Sequence, residues 1–384
     1  MSRPLRIAMI AGEMSGDLLG AELIRELKKH QPHIQFEGIG GPQMLEEGFH
    51  SFVKMERMSV MGIVDVLKRY LELYKIRQKL VERWKIDPPD VFIGIDYADF
   101  NLGLACRLKK HGIKTVQYVS PKVWAWRQKR VLFIKKAIDL VLTLFPFEET
   151  FYQQYDVPAQ FVGHPLADII DLTIDAKQQK NALGYPSQAK LVTVLPGSRT
   201  GEINYLGPLF LDVMQEISIH QPETQFIVPF TNSHLRTLFE EQMRDKKFNL
   251  KLHLTYQNSR EAMAAADVVL AKSGTSTLEA MLLKRPMVVA FKWGAITHAL
   301  IAPRLKIQFI SLPNLLANRN LVPEYVQKKA KAKPIAQQVM QLLQSPEHEH
   351  LKQQFTDIHL SLRKNANQKA ALAILNLLAL SCVE

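Results

Sequence analysis

Four stretches of the chain combine carboxylates, cations or hydroxyls with glycines that let backbone approach a ligand closely. Ala11-Gly-Glu-Met-Ser-Gly-Asp17 puts Glu13 in a strand-to-helix turn, without the GxGxxG spacing of a dinucleotide fingerprint. As a plain turn it would use Ser15 or Asp17 as the helix N-cap. Gly94-Ile-Asp-Tyr-Ala-Asp-Phe-Asn101 closes an apolar run on Asp96, a carboxylate suited to taking a proton from an acceptor hydroxyl. The pattern alone leaves Asp96 open between that role and a structural one, and Asp99 suits an N-cap. In Leu195-Pro-Gly-Ser-Arg-Thr-Gly-Glu-Ile203 the N–H groups of Gly197 and Ser198 suit phosphate oxygens and Arg199 suits their charge. No GK[ST] follows, so this is not a P-loop. Lys272-Ser-Gly-Thr-Ser-Thr-Leu-Glu279 repeats the idea: Ser273, Gly274 and Thr275 open a helix, and Glu279, one turn in, suits ribose hydroxyls. Two donor-rich turns in one half of the chain point to a nucleotide diphosphate.

Two other stretches carry interaction rather than reaction chemistry. Ser120 to Arg130 interleaves Trp124 and Trp126 with Lys122, Arg127, Lys129 and Arg130, which fits nucleic acid, an acidic sugar, or one buried indole beside a solvated basic helix. Between Met58 and Trp84, the residues Val64, Val66, Leu67, Tyr70, Leu71, Leu73 and Tyr74 form an apolar face bordered by Lys68, Arg69, Lys75 and Arg77. Such a helix lies on an anionic membrane or packs on its own sheet.

The elements that must position these turns alternate between short apolar runs and helical patterns. Strand signals fall at 6–12, 34–41, 90–96, 114–120, 140–144 and 160–162, then resume at 190–195, 225–229, 250–255, 268–272 and 287–291. Helical stretches between them imply βαβ units, an α/β class and parallel sheets. The 384 residues allow about two domains. The expected division is 1–170, 185–335 and a helical tail 336–384, with a linker near 165–188. Ligands of such sheets bind at the carboxyl ends of strands, so two Rossmann-like domains are expected to face each other across a binding cleft. A 47% apolar, 22% charged composition excludes disorder and low complexity. Two distant cysteines, Cys106 and Cys382, exclude a disulfide framework and a zinc site. Neither a signal peptide nor a transmembrane run is expected. The net charge of +12 favours anionic partners: nucleic acid, membrane or phosphorylated substrates.

In order, AGEMSGD (11–17), MGIVDVL (61–67), GIDYADFN (94–101), YVSPKVWAWRQKR (118–130), PFE (146–148), FVGHPLAD (161–168), LPGSR (195–199), SGTSTLE (273–279) and SLPNLLANR (311–319) span nearly the whole chain. Together they resemble the lipid-A-disaccharide synthases. The resemblance implies a GT-B, inverting glycosyltransferase of Gram-negative bacteria. It would join UDP-2,3-diacylglucosamine to 2,3-diacylglucosamine-1-phosphate, giving the β-1,6-linked lipid A disaccharide phosphate and UDP. It implies Asp96 as catalytic base, with Glu13 as a second catalytic residue that aids the acceptor or shapes the cleft. Arg199 is then a diphosphate contact and Asn314 a further active-site position. Ser198, Ser273, Gly274, Thr275 and Glu279 extend the UDP-sugar site by the logic of the fold. Ala98 stands where the family usually has proline, which loosens the turn while keeping both carboxylates.

Acylated substrates imply work at a membrane, so Val64, Val66, Leu67, Tyr70, Leu73 and Tyr74 become the expected contact. Peripheral attachment to the cytoplasmic face of the inner membrane follows. The tail is expected to pack back on the first domain, and in this family it can exchange between subunits of a homodimer. No cofactor, metal or nucleic acid is implied. The rivals are another UDP-sugar enzyme, such as an epimerase or a peptidoglycan glycosyltransferase, and a basic nucleic-acid binder.

Overall fold

The computed structural model describes residues 3–58, 66–244, 249–256, 258–294, 302–345 and 348–378. It divides into two units: Met1–Asp168 together with Leu362–Glu384, and Ile169–Ser361. In the first unit β1 (Arg6–Ala11), β2 (Gln35–Ile39), β3 (His50–Ser51), β4 (Val91–Ile95), β5 (Lys114–Tyr118), β6 (Leu140–Thr143) and β7 (Ala159–Phe161) form one parallel sheet, ordered β3-β2-β1-β4-β5-β6-β7. Helices cover both faces, which is why the central strands read as unbroken apolar runs. Ile7, Met9 and Ala11 of β1 pack with Leu23, Ile24 and Leu27 of the Met14–His30 helix and with Ala370, Ala371 and Ile374 of the Ala366–Leu377 helix. The alternate residues Ala8 and Ile10 point to the other face, against Leu104 and Leu108 of the Ala98–Lys109 helix and Ile76, Leu80 and Trp84 of the Val66–Ile86 helix.

In the second unit β8 (Leu191–Leu195), β9 (Gln225–Phe230), β10 (Lys251–Tyr256), β11 (Val268–Lys272), β12 (Met287–Phe291) and β13 (Glu324–Val326) form a parallel sheet ordered β10-β9-β8-β11-β12-β13. Val192 and Val194 share a core with Ile203, Phe210 and Val213 of the Thr200–His220 helix and with Ile335 and Val339 of the Ala332–Gln344 helix.

The stretch 165–188 carries two short helices, Pro165–Ile169 and Ala176–Ala182. The latter is tied to the second unit: Lys180, its side chain 5% exposed, pairs with Asp267 at 2.7 Å and donates to the Ala189 carbonyl. Of the 336–384 segment, the helices Ala332–Gln344 and Glu349–Leu362 lie almost wholly in the second unit, and the chain rejoins the first at Leu362. There His164 N–H donates to the Leu362 carbonyl at 3.0 Å. The Asp168 carboxylate accepts from Asn365 and Ala366 N–H at 2.9 and 2.6 Å, capping the returning helix.

The helix expected at a membrane spans Val66–Ile86. Val64 lies outside the described residues, as do the side chains of Val66 and Leu67. Tyr70, Leu71 and Tyr74 are 66%, 55% and 43% exposed. Leu73 is half-buried and packs against the core that includes Ile76, Leu80 and Trp84. Arg77 leaves the basic border, its guanidinium lying 4.8 Å over the Phe100 ring. Among the described residues no helix is long and apolar enough to cross a membrane.

Candidate active site

Strand order reverses between β1 and β4 in the first sheet, and at such a switch point the flanking turns open a crevice at the carboxyl edge. Glu13 follows β1, Asp96 follows β4, and Ala11 pairs with Ile95 across the switch. Both carboxylate-bearing residues are exposed. The turns fit closely: a Cβ on Gly12 would stand 2.6 Å from the Tyr97 ring. Tyr97 in turn donates its hydroxyl to the Met58 carbonyl at 2.7 Å.

Three residues at this edge have positive φ without being glycine: Asp96 (+48°), Tyr97 (+40°) and Val119 (+74°). Each such residue costs about 1–3 kcal/mol and persists only where neighbours over-determine it. Here the neighbours are two buried amides. Gln117 Nε2 donates to the carbonyls of Asp96 at 2.9 Å and Val119 at 3.2 Å. Asn101 Nδ2 donates to the Asp96 carbonyl at 3.1 Å and to that of Ile10 at 3.3 Å. Gly94 makes room for both, since a Cβ there would meet Asn101 Cβ at 2.7 Å and Gln117 Oε1 at 3.0 Å. The turn is therefore rigid without proline: Ala98 is simply the first residue of the following helix. Neutral amides hold the backbone, and no side-chain bond of this network uses the Asp96 carboxylate.

Two capping expectations are corrected. Asp17 is buried, and its carboxylate accepts from Gly41, Gln43 and Met44 N–H, capping the Pro42–Glu46 helix instead of its own. Glu13 holds the N-cap position of its helix, without a side-chain cap bond. Asp99 sits one residue inside its helix, whose N-cap is Tyr97, and pairs with Arg130.

The tryptophan stretch is used internally. Trp124 donates its indole N–H to Glu148 at 3.1 Å and meets Phe147 edge-on. Trp126 lies under the Arg127 guanidinium at 4.1 Å. Glu148 also accepts from Leu144 and Phe145 N–H. Burial pushes its carboxyl up to about 7, against the pull of those donors. Burial likewise pushes His164 down to about 4, and its Nδ1 accepts from Leu166 N–H, so the ring is neutral near pH 7.

The second sheet switches between β8 and β11, the strands that lead into the two donor-rich turns. Arg199 is the N-cap residue of the Thr200–His220 helix, its side chain 78% exposed and loosely paired with Glu202 at 3.8 Å. Glu202 organises the site. It pairs with Lys272 at 2.9 Å and accepts from Ser198 N–H at 2.9 Å, joining the two turns. Burial disfavours its charge, but the Lys272 bond and charge, Ser198 N–H and Arg199 outweigh it and hold the carboxyl below its ordinary range. Gly197, at φ +135°, is required there, because a Cβ would stand 2.4 Å from Glu202 Cβ. Glu202 and Lys272 were both in view in the sequence but not assigned; a carboxylate three residues after Arg199 and a lysine ending a strand were the available signals.

Ser273 donates its hydroxyl to the Ile310 carbonyl at 2.6 Å, so it braces the 310 turn. Gly274 precedes the Thr275–Leu282 helix and Thr275 is exposed at its start, leaving N-terminal amides directed at the edge. One Glu279 oxygen accepts from Arg260 at 3.2 Å. Asn314 is bonded wholly within the protein. It is fully buried, donates to Val322 O and Glu324, and accepts from Leu321 and Val322 N–H. Those four bonds exhaust an amide, so Asn314 shapes the loop and Glu324 beneath it.

Two parallel-sheet Rossmann-like halves, each with chemistry gathered at its switch point, define an α/β protein of the GT-B type. Solved structures share this fold: a UDP-GlcNAc 2-epimerase from Neisseria meningitidis bound to UDP-GlcNAc (TM-score 0.65, 14% identity, 98% of this chain and 100% of that one) and a glycotransferase of kitacinnamycin (0.63, 16%, 98% and 99%). The family model of the lipid-A-disaccharide synthetases matches residues 7–377. Lipid-A-disaccharide synthase 2 of Legionella pneumophila strain Lens is 61% identical over 99% of this chain and 98% of its own length. Lipid-A-disaccharide synthase of Hahella chejuensis is 46% identical over 98% and 95%. The chain belongs to the lipid-A-disaccharide synthase family, glycosyltransferases of lipid A biosynthesis.

Proposed function

We propose that this protein transfers the sugar of UDP-2,3-diacylglucosamine to the 6-hydroxyl of 2,3-diacylglucosamine-1-phosphate, inverting the anomeric centre and releasing UDP. The observation that carries the reading is the contrast in charge between the switch points: exposed carboxylates at Glu13 and Asp96, without a side-chain partner among the described residues, in one unit, and cations and helix amides at Arg199, Lys272 and Thr275 in the other. Asp96 takes the hydroxyl proton as the acceptor oxygen bonds to the anomeric carbon, and Glu13 orients that acceptor. The bond to UDP breaks with its electron pair leaving on the diphosphate. Arg199, Lys272 and the amides after Gly274 meet that charge as it develops. Ser198 contributes its hydroxyl, its N–H being held by Glu202. The second Glu279 oxygen serves the ribose.

Acyl chains on both substrates place the work at an anionic bilayer, with Tyr70, Leu71 and Tyr74 as its contact and the cytoplasmic face of the inner membrane as its location. A homodimer exchanging the C-terminal tail would reuse the Asp168 cap described above. The test is UDP release from UDP-2,3-diacylglucosamine in detergent micelles, with and without 2,3-diacylglucosamine-1-phosphate. Acceptor-dependent release that Asp96→Ala loses, with UDP still bound, supports the reading. Absence of release by folded, UDP-binding wild type overturns it.

A further inference from the structure

The carboxyl edge of the second sheet carries a hollow of about 900 Å³ beyond the diphosphate turns. Trp293, just past β12, and Phe309 line it on one side; Val326, Gln327, Lys328 and Lys329, running off β13, line it on the other. Its polar groups are unevenly used. Glu324, at its wall, is spent on Ile310, Ser311 and Asn314. Gln327 is not spent: its side-chain Nε2 is buried and without a partner among the described residues. Its backbone is held at φ +52°, a costly conformation for a non-glycine residue. A strained residue with an unanswered buried donor in the wall of an aromatic-lined hollow points to a missing acceptor.

A chain of side-chain contacts leads from the turn assigned to the diphosphate to the wall of the hollow. Lys272 Nζ lies 5.7 Å over the Phe291 ring, and Phe291 meets Trp293 edge-on at 4.7 Å. Ser273 holds the carbonyl of Ile310, the residue after Phe309. Trp293 and Phe309 are thus the aromatic side chains linked most directly to that turn on the side of the hollow.

We propose that this hollow is an acyl-chain subsite for the donor: an alkyl chain lies on Trp293, Phe309 and Val326, and its ester or amide carbonyl accepts from Gln327 Nε2. Lys328 and Lys329 stand exposed at the rim. The inference rests on the donor reading above, whose substrate it makes more specific. Alkyl burial rewards each methylene, and the carbonyl answers the Gln327 donor.

Wild type, Trp293→Ala and Gln327→Gly are titrated with UDP and with UDP-2,3-diacylglucosamine at one fixed detergent concentration. Gln327→Gly removes the amide while easing the positive φ, so it keeps the fold if Trp293→Ala does not. UDP affinity should stay unchanged in both, while donor affinity falls about tenfold or more. Unchanged donor affinity overturns the proposal. So does an equal loss for UDP and donor, which would make the hollow a nucleotide pocket. A wild type indifferent to the acyl chains would overturn the donor reading itself, and this inference with it.

Discussion

At the switch point of the first sheet the turns are held by neutral amides, whereas at that of the second they are held by an ion pair. Asn101 and Gln117 grip the carbonyl of Asp96 and leave its carboxylate uncommitted. In the second unit Glu202 draws Lys272 and the N–H of Ser198 together, so the groups proposed to meet a diphosphate are also the groups that hold the turn. A proton acceptor is best kept apart from the bonds that position it. A diphosphate cradle can share them, because an arriving anion replaces a carboxylate in kind.

The contrast is broken most severely by Asp96→Asn, which keeps the turn and removes the base. Turnover should fall by about 10²–10⁴-fold in the UDP-release assay while UDP affinity holds. Gln117→Leu asks whether the strap matters apart from the base. The expected result is about a tenfold loss in kcat with KM little changed, and a destabilisation of about 1–3 kcal/mol by denaturant titration. A merely structural Gln117 would lower stability and leave kcat alone. Lys272→Met removes the tie in the second unit, and UDP affinity should drop roughly fivefold to tenfold. Its stability cost should depend on pH. The Glu202 carboxyl is held low in the folded state, so the stabilisation from its pair is present above the ordinary glutamate range and lost as pH falls through the lowered value. The gap between wild type and Lys272→Met is therefore open at neutral pH and closes in acid. Smallest in stability is Arg199→Ala: the loosely paired, exposed side chain should cost under about 0.5 kcal/mol on removal, while UDP binding and turnover both weaken.

What the sequence disclosed follows from local physics. Unbroken apolar runs at β1, β4, β8 and β11 located the central strands, and the turns after them held the residues now at the two switch points. What escaped depends on contacts between distant segments. Asp17 looked like a cap for its own helix because the helix it does cap starts 25 residues later, beyond any local pattern. The short edge strands β3 and β13 carry no alternation to detect. Asn314 sits in a motif that marks the family, yet its amide is consumed by Leu321, Val322 and Glu324, a fact of loop closure rather than of spacing. Leu73 lay on the apolar face of its helix in projection, and only the packed sheet separates it from Tyr70 and Tyr74.

The returning helix Ala366–Leu377 has a consequence for synthesis. It fills one face of the first sheet with Ala370, Ala371, Ile374 and Leu375, and its Asn367 accepts from the hydroxyl of Tyr118, whose carbonyl receives the Asp96 N–H. A chain made from its N-terminus onward has every strand of the first sheet early but lacks that helix until all of the second unit has been made. The turn that carries Asp96 is among the last parts of the molecule to gain its full support.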